Sequence, residues 1–155
     1  MDTEKTLLSL GLTLPPPPKP VATYVPAVRS GNLLFLSGMI PIVEGKMTMT
    51  GKIGKELTVE QGQEAARITL LNALAVIKAE VGSLDRVERI VRIAVHVASA
   101  AGFTQQPAVA NGASDLLVRI FGEAGRHARL ALGAAELPLG APVELEMIVQ
   151  VKTES

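Results

Sequence analysis

A chain of 155 residues with 15 basic and 15 acidic side chains has no formal net charge. That size suits one domain with a proper core, and the charge balance supplies no global field to recruit nucleic acid or an acidic membrane. Cysteine is absent, which excludes disulfides, thiolate nucleophiles and most zinc sites.

Hydrophobic residues make up 48% of the chain, yet there is no Trp, one Tyr and three Phe, so the core has to be aliphatic. No apolar run approaches the about 18 residues of a membrane span, and no basic-then-apolar leader precedes the first element. A soluble, cytoplasmic protein is expected.

Asp2 to Leu10 predicts a short helix, capped by Asp2 or Thr3 and closed by Gly11. Pro15 to Pro18 and Pro20 then force extended, polyproline-like chain. Residues 1–19 therefore read as a helix and a Pro-rich arm, and residues 20–153 as a single domain. The arm is either a ligand for a proline-binding module or a stiff strut laying the helix against the body. Neither carries catalysis.

Thr23–Arg29 and Asn32–Ser37 predict two strands joined by the turn Arg29-Ser30-Gly31-Asn32. Tyr24, the only tyrosine, is a half-buried edge aromatic or a pocket wall. Ser37-Gly38 ends the second strand, where a glycine permits close backbone approach to a ligand. Met39–Lys55 reads as a mobile loop with a turn at Glu44-Gly45. It is not a phosphate-binding loop, because five residues instead of four separate Gly45 from Gly51 and Ile53 stands where Ser or Thr is required. Met39, Met47 and Met49 read as fillers of irregular gaps.

Thr58 and Gln61 form a capping box, and Gly82 lies just past the end of the long helix they start. Its apolar stripe is expected at Ala65, Ile68, Leu70 or Leu71, Leu74 and Ile77, with Asn72 a helix-to-loop hydrogen-bonding residue. A strand follows, with Val87, Val91, Ile93, Val95 and Val97 on one face. Glu88, Ile90, Arg92 and His96 take the other, a mixed face suited to meeting another subunit.

The two histidines, His96 and His127, stand on unrelated elements without ligand spacing. No metal and no cofactor is expected. A second helix runs from about Pro107 to Phe121, and Gly112 in its first turn suggests close approach of another chain.

The last third alternates cleanly. Val143, Leu145, Met147, Val149 and Val151 point one way, and Glu144, Glu146 and Gln150 the other. Arg129 lies on a preceding strand that could run close by. An Arg offers a planar fork for a carboxylate, and a Glu can hold a water or take a proton.

These residues carry a resemblance. Ala128-Arg129, a short apolar strand, Leu137-Pro138-x-Gly140-Ala141-x-Val143-Glu144-x-Glu146 resembles the signature of the reactive intermediate deaminase (Rid, YjgF-like) family, often labelled endoribonuclease L-PSP. Tyr24-Val25-Pro26-Ala27-Val28, Gly31 to Gly38 and Asn111 before a helix extend the likeness over roughly residues 20–152. The element order β-β-loop-α-β-α-β-β already predicts an α+β layer with helices on one sheet face. The resemblance implies the bacillary chorismate-mutase-like version of that fold and a homotrimer with pockets between subunits.

It further implies hydrolysis of a 2-imino acid or enamine. Arg129 would clamp the substrate carboxylate, and Glu144, kept ionised by the Arg, would orient the water. Tyr24, Ser37 and the backbone of Ala131 would line the pocket, with Asn111 contributing across the interface. The alternative is a non-catalytic trimer that binds a small carboxylate or regulates a partner. Leu130 after the Arg and Met39 after Ser-Gly depart from the family pattern and make the expected pocket greasier.

Overall fold

The computed structural model describes residues 2–20 and 22–153. It begins with α1 (Thr3–Ser9), whose Asp2 side chain caps the Lys5 amide at 3.0 Å. Leu7 is buried, and Glu4 meets Lys78 Nζ at 3.1 Å and the Leu84 amide at 3.1 Å. The Pro-rich arm follows, with Leu12 and Leu14 packed against the core.

The main sheet has five strands: β1 (Ala27–Ser30), β2 (Leu33–Leu36), β5 (Val87–Ala98), β6 (Ala128–Ala134) and β7 (Val143–Val151), in the order β1-β2-β7-β5-β6. Only the β5–β6 pair is parallel. The β1–β2 turn puts Gly31 at φ +61°, a left-handed conformation glycine adopts without a Cβ penalty.

The predicted capping box is present at the start of α2 (Val59–Val81), with Thr58 and Gln61 exchanging bonds of 2.9 and 3.1 Å, and Gly82 closes the helix. Its buried face is shifted from the predicted stripe. Ala65, Leu70, Leu74 and Ile77 of the expected stripe are buried and Ala66, Thr69 and Ala73 join them, while Ile68 and Leu71 are only half-buried.

Helix α3 (Gln106–Phe121) packs on α2. A Cβ on Gly112 would come within 2.2 Å of the Gln63 carbonyl oxygen, so this glycine permits close approach of α2 in the same chain, not of another chain.

Both helices cover one sheet face. Leu34, Ile93, Val95, Leu145, Met147 and Val149 point into this core. Ile90 joins them, fully buried, which corrects its assignment to the outer face. Register shifts between Val87 and Arg89 and between Ile90 and Arg92 change the strand's phase, because a bulge inserts a residue the period-2 pattern does not count.

The helix-free face carries a row of laterally paired residues, Val28, Phe35, Ile148 and Arg92. Val28 is 56% and Phe35 42% exposed.

The segment after β2 is fixed along its length and is not an open loop. Glu44 and Gly45, both at positive φ, turn the hairpin of β3 (Ile42–Val43) and β4 (Lys46–Met47). Asn72 Nδ2 donates to the carbonyls of Ile40 (3.0 Å) and Ile42 (2.9 Å), the helix-to-loop role expected of it. Ile53 is buried and exchanges backbone bonds with Ala98 (2.8 Å) and Ala100 (3.0 Å). Met39 is buried, and Met49 packs on the core. No helix among the described residues is long and apolar enough to cross a membrane.

Candidate functional site

Arg129 sits near the start of the edge strand β6, opposite Ile93. Side chains at paired positions share a face, so Arg129 emerges on the helix side. There its Nη1 donates to Asn111 Oδ1 (2.8 Å) and Ser114 Oγ (3.2 Å), both on α3. Asn111 thus travels with Arg129 on one subunit.

Behind Ser114 stands His127. The Gly125 carbonyl can only accept, so the 2.6 Å contact assigns the proton to His127 Nδ1. In that tautomer Nε2 accepts from the Ser114 hydroxyl at 2.9 Å, leaving Ser114 Oγ to accept from the guanidinium. The chain of bonds is directional from end to end. It fixes Nη1 and leaves the Nε/Nη2 edge, the side-on fork for a carboxylate, with no partner among the described residues.

Glu144 is elsewhere. It pairs across the sheet with His96 on β5, on the helix-free face. The expectation that Arg129 runs close to Glu144 within the chain fails. Strand β5 lies between β6 and β7, and the two side chains leave opposite faces.

The reason given for an ionised Glu144 fails with it. Burial pushes its carboxyl above the ordinary value, His96 nearby pulls it down, and Glu146 on the same face raises it again. Gly38 passes directly beneath this carboxylate, and a Cβ there would lie 3.0 Å from Glu144 Oε2. The small residue makes room for Glu144 and, with Met39, lines the cleft that Glu144 opens into.

Glu144 opens into a cleft of about 360 Å³. Tyr24 and Ser37 line it, as expected. The Ser37 hydroxyl donates to the Val25 carbonyl at 2.6 Å and its amide to the Pro26 carbonyl at 2.9 Å, which fastens the Tyr24 segment to the end of β2. Sequence reasoning missed the rest of the wall: Pro18, Lys19 and Pro20 of the arm, Ile40 and Ile42 of the hairpin segment, and Pro138 and Leu139 of the turn before β7. The signal for Leu139 was its place inside the Leu137-Pro138-x-Gly140 motif.

Ala131 lies two residues beyond Arg129 on β6, partly buried, and packs against the core. The structure therefore forms two groups, Arg129–Asn111–Ser114–His127 and Glu144–Ser37–Tyr24, and does not join them within one chain. No cluster of three His, Asp or Glu side chains suited to a metal ion occurs among the described residues.

Residues 4–150 match the sequence profile of a family described as "YjgF/chorismate_mutase-like, putative endoribonuclease". Among curated relatives, Protein TCP17 of Trypanosoma cruzi is 47% identical over 146 residues, 94% of this chain and 91% of that one. A protein of Dermatophagoides farinae named 2-iminobutanoate/2-iminopropanoate deaminase is 30% identical over 142 residues, covering 91% and 95%.

Among solved structures, Atu1372 of Agrobacterium tumefaciens, described as of unknown function, superposes with a TM-score of 0.90 at 42% identity, covering 97% of this chain and 92% of its own. A Shewanella oneidensis MR-1 chain superposes with a TM-score of 0.94 at 33% identity, covering 97% and 100%. The α+β layer and the order of Arg, Leu-Pro, Gly and Glu along its last third now have their explanation: this chain belongs to the YjgF/RutC, or reactive intermediate deaminase, family.

Proposed function

We propose that this protein hydrolyses a 2-imino acid or its enamine as a homotrimer. Arg129 and Asn111 of one subunit face the Glu144 cleft of the next. The observation that carries this reading is the separation of the two groups. Arg129 presents a free carboxylate fork on one sheet face, and Glu144 lies in a cleft on the other, so each completes a site only with a second copy. The apolar row Val28, Phe35 and Ile148 supplies a surface for such packing, and closed rings of identical subunits are a common way to bury one.

In the proposed reaction the guanidinium holds the substrate carboxylate bidentately. Glu144 takes a proton from a water, whose oxygen bonds to the imine carbon, and delivers a proton to the nitrogen. Glu144 then takes the hydroxyl proton of the carbinolamine and passes it to the amine as the C–N bond breaks and the C=O bond forms, releasing ammonia and a 2-oxo acid. A carboxyl with its pKa raised by burial can hold and release that proton closer to neutrality than an exposed one. Hydrolysis of RNA has less support: among the described residues Lys19 is the only cation lining the cleft, and His127 is engaged with α3 while His96 lies on the other face.

Coexpression of Arg129→Ala and Glu144→Gln chains tests the reading. If the groups come from different subunits, random mixing rebuilds about a quarter of the sites, since each partner is intact in half of the chains. Imine hydrolysis should recover to that fraction. Two inactive variants whose mixture stays inactive would place both groups in one chain, or remove Glu144 from the chemistry.

A further inference from the structure

Deepening the imino acid reading, on which it rests, we infer that the Glu144 cleft holds a large apolar side chain. The ligand is a 2-imino or 2-oxo acid with a branched or aromatic substituent lying against Pro18, Pro20, Ile40, Ile42 and Leu139. The cleft's 360 Å³ falls within the range of pockets that enclose ligands of many heavy atoms. A three-carbon acid held at Arg129 and Glu144 would leave most of that wall wet.

The polar groups lining the cleft are few. They are Tyr24, Ser37 and Glu144 at the reacting end, and the exposed Lys19.

Leu139 is the most informative residue. Its backbone is left-handed (φ 59°, ψ 21°) and its side chain is 74% exposed. A leucine neither prefers that conformation nor gains from that exposure in the free fold. The turn is nonetheless clamped around it, by Gly140 N to the Leu137 carbonyl (3.2 Å), Ala141 N to the Pro138 carbonyl (3.1 Å) and Gly51 N to the Gly140 carbonyl (3.1 Å). A strained, exposed apolar residue held in a bonded turn at the cleft wall is placed to touch what enters the cleft. Opposite it, a polyproline arm anchored by Leu12 and Leu14 loses little freedom on forming a wall.

The test is binding of the product-like acids pyruvate, 4-methyl-2-oxopentanoate, phenylpyruvate and 2-oxoglutarate by titration calorimetry. It is run beside hydrolysis of imines generated from alanine and from leucine by an amino acid oxidase. At least one of the two apolar acids should bind tenfold or more tightly than pyruvate, in line with the discrimination that extra methylenes give in an apolar pocket. Leu139→Lys, at an exposed position, and Ile42→Thr, on a short strand, should each cut that ratio at least threefold.

Pyruvate binding as tightly as the apolar acids overturns the inference, as does a ratio untouched by both variants. Tightest binding of 2-oxoglutarate also overturns it and assigns Lys19 the specificity. The two readings fail separately. Apolar preference in binding without hydrolysis of any imine keeps the subsite and removes the hydrolase, whereas hydrolysis with a flat preference does the reverse.

Discussion

At the β6 edge, Arg129 is held by polar contacts with α3. Asn111 and Ser114 share Nη1, and His127 fixes Ser114 from behind. Across the sheet, Glu144 has no side-chain hydrogen bond among the described residues. It is set by burial, by the bare backbone of Gly38 beneath it and by an apolar wall from three distant segments. The first region fixes the geometry of a group whose charge never changes. The second raises the pKa of a carboxyl through burial. One chain thus provides a hydrogen-bonded cation and a desolvated carboxyl on opposite faces of a sheet.

The largest effect should come from parting the two regions altogether. Ile148→Asp puts an ion into the apolar row of the helix-free face, where packing against a neighbour would leave it desolvated and unpaired. The expected outcome by sedimentation is loss of the trimer, and with it loss of turnover while the fold is retained. A trimer that survives the change moves the interface off this face.

Arg129→Lys strikes one region only. Lysine keeps the charge but loses the planar fork, a loss of about 1.5–3 kcal/mol, or about ten- to hundredfold in kcat/KM or affinity. The fold and the assembly should be unaffected. If instead the melting temperature falls or the oligomer splits while ligand affinity holds, Arg129 is an interface residue.

Ser114→Ala is gentler. It removes one acceptor from Arg129 and the donor to His127, at about 0.5–1.5 kcal/mol for a net hydrogen bond, so KM should rise about two- to tenfold with kcat nearly unchanged. Restoration by Ser114→Thr would identify the hydroxyl as the cause. A fall in kcat with KM intact would mean that Ser114 acts elsewhere.

The smallest effect is on stability, from Glu144→Gln. Because burial raises the folded-state pKa, the contribution of the neutral carboxyl is fully present below the ordinary value of 4.5 and is lost as pH rises through the raised one. In thermal melts from pH 4 to 7.5, wild type should therefore lose ground to Glu144→Gln as pH climbs above 4.5. Partial exposure keeps the shift to a degree or so. A wild type that gains over that range would mean a neighbour's cation outweighs burial.

Local chemistry made much of the fold legible. The Thr58–Gln61 box and Gly82 mark α2, because capping involves residues only a few positions apart. The alternation from Val143 to Val151 assigns both faces of β7 without help from any other strand. The order Arg129, Pro138, Gly140, Glu144 marks the family, and Tyr24 and Ser37 lie at one cleft.

Tertiary structure decided how these pieces face one another. Bulges against β7 turned Ile90 inward, since register belongs to a pair of strands and not to one. The insertion of β5 between β6 and β7 sent Arg129 and Glu144 to opposite faces, and Gly112 proved to be shaped by α2, far away in sequence. The Pro-rich arm, the Ile40–Ile42 segment and Leu139 became one wall only by folding together. Periodicity and capping are written within a few residues, whereas strand order, bulge phase and desolvation of a carboxyl depend on segments that meet only in the folded chain.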